Sequence, residues 1–193
     1  MASPAILEPA EITARPEEPL YEVVNGERVE LPPMSAYATW ISSRLGYQVG
    51  PFADIHMLGT VVSEMLFILD PERGLRRRPD IAFVSSQRWP LGREIPEMGD
   101  WAVVPDLAVE VVSPNDLFED VLAKMREYFQ VGVRQVWIVV PVEKQVYVYS
   151  SPKDPRVLDS SDELDGGMLL PGFRLPLATL FTRPAPAQAP AAS

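Results

Sequence analysis

The chain has 193 residues, 47% of them hydrophobic and 23% charged, which favours one folded domain with a real core and excludes wholesale disorder. It has no cysteine and one histidine, His56, so disulfides, thiolate metal sites and zinc sites built on several imidazoles are excluded. A formal net charge of −10 argues against broad, nonspecific binding of nucleic acid, though not against a small local basic patch. Any chemistry here is expected to run on carboxylates and lysines.

Residues 1–19 hold four prolines among acidic side chains and read as a flexible lead-in, with neither the basic start nor the apolar stretch of a signal peptide. No run of eighteen apolar residues reads as a membrane span, and the lack of cysteine suits a reducing compartment, so a cytoplasmic protein is expected. Tyr21 to Leu31 reads as a hairpin around Asn25-Gly26, a type I′ turn signal. Ser35 caps a helix predicted to run to about Tyr47, with Trp40, Ile41 and Leu45 facing inward. Thr60 to Leu69 reads as one long strand, Asp70 to Gly74 as a turn, and Leu75 to Val84 as the hairpin partner. Residues 85–105 read as irregular, and Leu107 to Val112 as a short apolar strand. Asn115 or Asp116 is expected to cap a helix reaching about Val131 and closed by Gly132. Arg134 to Val140 and Gln145 to Ser150 form a strand pair, and Gly167 to Leu180 closes the domain with a strand and a short helical turn. Strand, helix, strand over 107–140 implies a crossover between parallel neighbours, hence an α/β fold with a mixed sheet flanked by helices over residues 20–182. Residues 183–193 read as a Pro/Ala-rich tail.

Three carboxylates sit where carboxylates are costly. Glu110 interrupts Leu107-Ala108-Val109-Glu110-Val111-Val112, a run that reads as buried on both faces. A buried carboxylate has to be protonated, paired or bound to a cation, unless the strand lies at an edge and Glu110 reaches water. Asp80 opens the apolar run Ile81-Ala82-Phe83-Val84. If the strand begins near Arg76, Arg76 and Arg78 share its face, lower its pKa and offer phosphate contacts; the alternative is a structural ion-pair cluster. Glu64 lies in the strand expected to pair with that of Asp80, on what could equally be a half-wet face. Lys124 falls at the border of the apolar arc of the following helix, beside Leu117 and Tyr128, where it either reaches Glu110 or lies along the surface. Mg²⁺ takes oxygen ligands, commonly one or two carboxylates plus waters and phosphate, so two such acids and a lysine suit phosphodiester hydrolysis. Asp106 also follows a proline and shares a face with Glu110. Four residues of strand, about 13 Å, separate the two, so Asp106 reads as a strand-entry residue.

The runs Arg78-Pro79-Asp80-Ile81-Ala82-Phe83, Pro105 to Pro114, Lys124 with Tyr128, and Gly132 to Val139 resemble the Uma-two family, described as putative restriction endonucleases. Tyr21 to Glu27 and Leu170 to Phe173 resemble it too, so the likeness spans about 20–182. The resemblance implies a PD-(D/E)XK nuclease-like fold and metal-dependent cleavage of DNA, with Mg²⁺ as cofactor and Mn²⁺ as substitute. It implies Asp80 and Glu110 as metal ligands and catalytic acids, the backbone carbonyl of Val111 as a further metal ligand, and Glu64 as an accessory acid. The superfamily's lysine two positions after the second acid is Val112 here, and Lys124 on the next helix is expected to supply that charge. Early in the first helix, where similar proteins often carry a histidine, stand Tyr37 and Trp40.

A metal-dependent endonuclease is therefore the leading expectation, with no membrane partner and with a homodimer allowed, because a double-strand cut needs two sites. Two alternatives stand beside it: a non-cleaving nuclease-fold protein that binds nucleic acid or a protein partner, and a carboxylate-metal enzyme acting on another phosphate ester.

Overall fold

The computed structural model describes residues 19–183; the lead-in up to residue 18 and the tail from residue 184 lie outside the described residues. The hairpin forms as expected: β1 (Tyr21–Val24) pairs antiparallel with β2 (Glu27–Glu30), with Asn25 and Gly26 both at positive φ, as a type I′ turn demands. The first helix, α1 (Ala36–Ile55), is capped by the Ser35 hydroxyl, which accepts the Ala38 N–H. It runs eight residues past Tyr47, through Gly50 and Pro51, because Val49 and Ala53 lie on the stripe already carrying Ile41 and Leu45 and are buried with them. Tertiary burial there outweighs the local breakers. Trp40, expected inward, is only half-buried and packs beside Tyr37.

The expected long hairpin is broken in both of its strands. Its first strand divides into β3 (Gly59–Ser63) and β4 (Phe67–Asp70), and its second into β5 (Leu75–Arg77) and β6 (Ile81–Ser85). Pairing survives, β3 with β6 and β4 with β5, but the halves enter different sheets. The break falls at Glu64, at φ +52°, opposite the segment Arg78-Pro79-Asp80, where Pro79 has no N–H to give to a ladder. β4 and β5 join the hairpin in a four-stranded sheet ordered β2-β1-β5-β4.

The central sheet has six strands. β7 (Leu107–Val111) lies between β6, antiparallel, and β8 (Gln135–Val140), parallel, with α2 (Phe118–Gln130) as the crossover, as expected. β9 (Gln145–Tyr149) and β10 (Pro155–Leu158) extend it to the order β10-β9-β8-β7-β6-β3. β11 (Glu163–Gly166) pairs with β12 (Leu170–Pro176), and α3 (Leu177–Phe181) follows. Alternate residues of β6, β7 and β8 feed two cores. Phe83, Leu107, Val109 and Trp137 pack with α1, while Ala82, Ala108, Val136 and Ile138 pack with Met125 and Tyr128 of α2. Among the described residues no helix is long and apolar enough to cross a membrane.

Candidate active site

The antiparallel register of β6 and β7 pairs Ile81 with Val109 and Ala82 with Ala108. Continued by one residue, it sets Asp80 directly across from Glu110. The Val111 N–H donates to Asp80 Oδ2 at 2.6 Å, tying the two strand ends together. On the other side, Ser63 pairs with Ile81 and the Glu64 N–H donates to the Asp80 carbonyl at 3.2 Å. Backbone pairing thus sets Glu64, Asp80 and Glu110 in one row across three strands. Glu64 ends that row with an exposed side chain, because the strand turns at its positive φ. It was expected within a continuous strand and stands instead at the lip of the site.

Lys124 reaches the row from α2. Its Nζ lies 3.8 Å from Glu110 Oε2 and 3.2 Å from Glu22 Oε1. One turn on, the Tyr128 hydroxyl donates to Glu110 Oε1 at 2.6 Å. Tyr128 read as core from its spacing; a fully buried tyrosine still needs a hydrogen-bond partner, and that was the signal available in the sequence. The N-cap of α2 is Leu117, not Asn115 or Asp116, and it makes no capping hydrogen bond. Asp116 instead accepts the Ser113 N–H at 2.7 Å, closing the turn between β7 and α2. The helix ends at Gln130, with Val131 as its C-cap.

Two residues of the site escaped the sequence reading. Glu22, on β1, is 1% exposed and accepts from Arg77 Nη1 at 2.6 Å, from the Arg78 N–H at 3.0 Å and from Lys124. Arg77 also donates to Glu127 Oε2, from Nε at 2.7 Å. The expectation that Arg76 and Arg78 flank Asp80 with their charges is not met, and it is Arg77 that pairs with the buried acid Glu22. Arg76 pairs with Asp100, and Arg78 is engaged by the Glu64 and Tyr21 carbonyls. The strand break at Pro79 decouples the face of Asp80 from that of the three arginines. The sole warning was Glu22 itself, one acid in the hairpin strand Tyr21-Glu22-Val23-Val24.

The electrostatics follow from this arrangement. Burial, then repulsion from Glu110, pushes Asp80 up from 3.8 to about 8, against the Val111 N–H and Lys124, which pull it down. The lowered value expected from flanking arginines is overturned. Burial also raises Glu110, opposed chiefly by Lys124. Burial disfavours the charge on Lys124, but Glu110 and Glu22 outweigh it and hold its pKa above the usual lysine value. Asp106 lies apart: it is 1% exposed, accepts the Ser85 N–H at 2.8 Å and pairs with Arg88 and Arg134, a strand-entry role as expected.

The donor set fits a hard divalent cation. Among the described residues, the ion pairs of Glu22, Glu110 and Glu127 run to two cationic side chains, Arg77 and Lys124, and Asp80 has none. Asp80 and Glu110 are left to share the Lys124 ammonium, and a divalent cation would supply the counter-charge they lack when ionised. Among the described residues no cluster of three or more His, Asp or Glu side chains is spaced to hold a metal alone. Two carboxylates completed by backbone oxygen, water and substrate phosphate is the usual arrangement for Mg²⁺. Asp80, Glu110, Val111, Lys124 and Glu64 all line one cavity of about 1200 Å³.

These elements define an α/β domain, a mixed sheet flanked by helices, with Asp80 and Glu110 side by side at neighbouring strand ends. The same fold occurs in a solved structure from Anabaena variabilis ATCC 29413, described as a putative nuclease belonging to DUF820. The two superpose with a TM-score of 0.71 at 20% identity, over 89% of this chain and 96% of that one. Residues 7–178 match the model of the family Uma2, putative restriction endonuclease, and the chain belongs to that family. No curated protein matches it.

Proposed function

We propose that the protein is a Mg²⁺-dependent endodeoxyribonuclease of the cytoplasm, with Mn²⁺ able to replace Mg²⁺. The observation that carries this reading is the convergence of Asp80, Glu110 and Lys124 on one cavity, from two strands and the crossover helix. Asp80, Glu110 and the Val111 carbonyl would hold the cation, which supplies Lewis acidity toward a phosphate oxygen and a more acidic water.

The chain's own groups do the rest. Lys124 stays charged, so it serves as a donor that orients the attacking water and offsets charge developing on the phosphate. Glu22 is a positioning residue that holds the Lys124 ammonium at 3.2 Å, within reach of Glu110. The Tyr128 hydroxyl holds Glu110 in one rotamer, with Oε2 turned toward Lys124. Glu64, at the lip, is an accessory acid. Water adds to phosphorus, the bond to the leaving sugar oxygen breaks, and the proton released by water ends on that oxygen. A double-strand cut would take two copies of the chain.

The test is incubation of plasmid and short DNA with Mg²⁺ or Mn²⁺, using the wild type and the variants Asp80→Ala and Lys124→Ala. Cutting by the wild type that disappears in both variants is expected. Wild-type protein that leaves every DNA intact, or variants that cut as well as it does, overturns the assignment. The net charge of −10 favours two other readings: a non-cleaving nuclease-fold protein, which binding without cutting would reveal, and an enzyme of another phosphate ester, which hydrolysis of small phosphodiesters but not DNA would reveal.

A further inference from the structure

The lining of the cavity bears on which nucleic acid could enter it. Glu110 is 7% exposed, so a scissile phosphate has to come into the cavity rather than lie across the outer surface. Acids dominate the approach, with Glu30, Glu64, Asp116 and Asp120 all on the lining. The cations there are Arg77, Arg78 and Lys124, and each is already engaged by a carboxylate or a carbonyl of the chain. A duplex held along its two phosphate backbones needs a basic track, and this lining offers none.

What the lining offers instead is apolar surface. Val29, Leu31, Pro32, Pro33 and Met34 contribute one stretch, from β2 and the chain after it. Val112, Leu117 and Val121 contribute another, from the end of β7 and the start of α2. Leu117 is the telling residue. It occupies the N-cap of α2 without a capping hydrogen bond and is 68% exposed. Ser, Thr, Asn or Asp at that position would stabilise the helix by about 1 kcal/mol. An exposed leucine in place of a cap, on the lining of the candidate active site, breaks a local rule, as functional surfaces do.

The geometry points to single-stranded DNA as the substrate: one phosphate reaches Asp80 and Glu110 while the unpaired bases beside it lie on the apolar lining of Val29, Leu31 and Leu117. This inference rests on the nuclease reading and narrows it. The faces of unpaired bases are free to lie against aliphatic side chains whatever the sequence, whereas paired bases keep theirs stacked inside the duplex. A cavity of about 1200 Å³ is larger than the roughly 300–1,000 Å³ of ordinary small-molecule sites, enough for more than one nucleotide. With three cations at most against phosphate, binding of a single strand should lose affinity with salt at a log–log slope no steeper than about −2. Cutting one strand also takes only one site.

The test compares a labelled single-stranded DNA oligonucleotide, its blunt duplex, RNA of the same sequence and bis(p-nitrophenyl) phosphate, each with Mn²⁺. Fluorescence anisotropy is measured in parallel with Ca²⁺ in place of Mn²⁺. The expected result is kcat/KM about tenfold or more higher on single-stranded DNA than on duplex. Leu117→Ser and Val29→Ser change exposed positions and should fold. Each is expected to lower kcat/KM on the single strand about fivefold, and that on the small diester much less. Equal or better cutting of duplex, preference for RNA, or serine variants that lower both substrates alike would sink the single-strand assignment while leaving a nuclease. If not even the small diester is hydrolysed, the nuclease reading fails, and anisotropy then decides this inference alone. Tighter binding of single strand than of duplex keeps the surface assignment, and equal binding ends it.

Discussion

Replacing Asp80 with asparagine should make the metal-free protein more stable at alkaline pH. The native carboxyl is pushed from 3.8 to about 8, because burial and Glu110 both oppose its charge. A carboxyl whose native pKa lies above its unfolded value binds its proton more tightly when folded. Its cost is therefore absent below about pH 4, grows as pH rises, and is complete above about pH 8. Four units at about 1.4 kcal/mol each set a ceiling on the order of 5 kcal/mol. Glu110 carries part of the same repulsion, so about 2–4 kcal/mol is expected to return in Asp80→Asn at pH 9. For a domain of this size that is a rise in Tm of roughly 5–15 °C. The amide oxygen can still accept the Val111 N–H, so the strand tie is kept. The assay is urea or thermal unfolding of both proteins in EDTA from pH 4 to 9. The gap should open between pH 4 and 8, and Mg²⁺ should stabilise the wild type while leaving the variant unmoved. A gap independent of pH, or a variant less stable than wild type at pH 9, would refute the reasoning.

Three further outcomes are expected. Glu22→Gln leaves Arg77 and Lys124 short of a buried counter-charge and should cost about 2–4 kcal/mol in urea unfolding at pH 7; in the cleavage assay it should lower kcat with KM little changed, as suits a positioning residue. Tyr128→Phe removes the 2.6 Å hydrogen bond that favours the Glu110 carboxylate, so it should cost about 1–3 kcal/mol and weaken Mn²⁺ binding several-fold by calorimetry. Gly59→Ala would put a Cβ 2.2 Å from the Val84 carbonyl oxygen and 2.7 Å from Ser85 Cα, both backbone atoms; a loss of more than about 3 kcal/mol, or insoluble protein, is expected on expression and thermal unfolding.

Much of the molecule was legible in the sequence, because its evidence was local. The Asn25-Gly26 turn, the Ser35 cap, the apolar strand around Glu110 and the helix after it each carry their own signal within a few residues, and a strand-helix-strand run allows one connection. A carboxylate in or at the head of an apolar strand is likewise visible without coordinates, which is why Asp80 and Glu110 could be singled out, and Lys124 stands out at the border of the apolar arc of its helix. What only the tertiary structure decided was where distant segments meet. Pro79 and the positive φ of Glu64 divide one apparent hairpin between two sheets, which sets Arg77 against the buried Glu22 and turns Glu64 to the surface. Glu22 enters from a strand some ninety residues before Glu110, and Asp80 titrates upward rather than downward because its neighbours are another acid and the interior. Patterns of one to four residues report burial and turn chemistry. The partner of a buried charge depends on long-range pairing, and no local pattern encodes that.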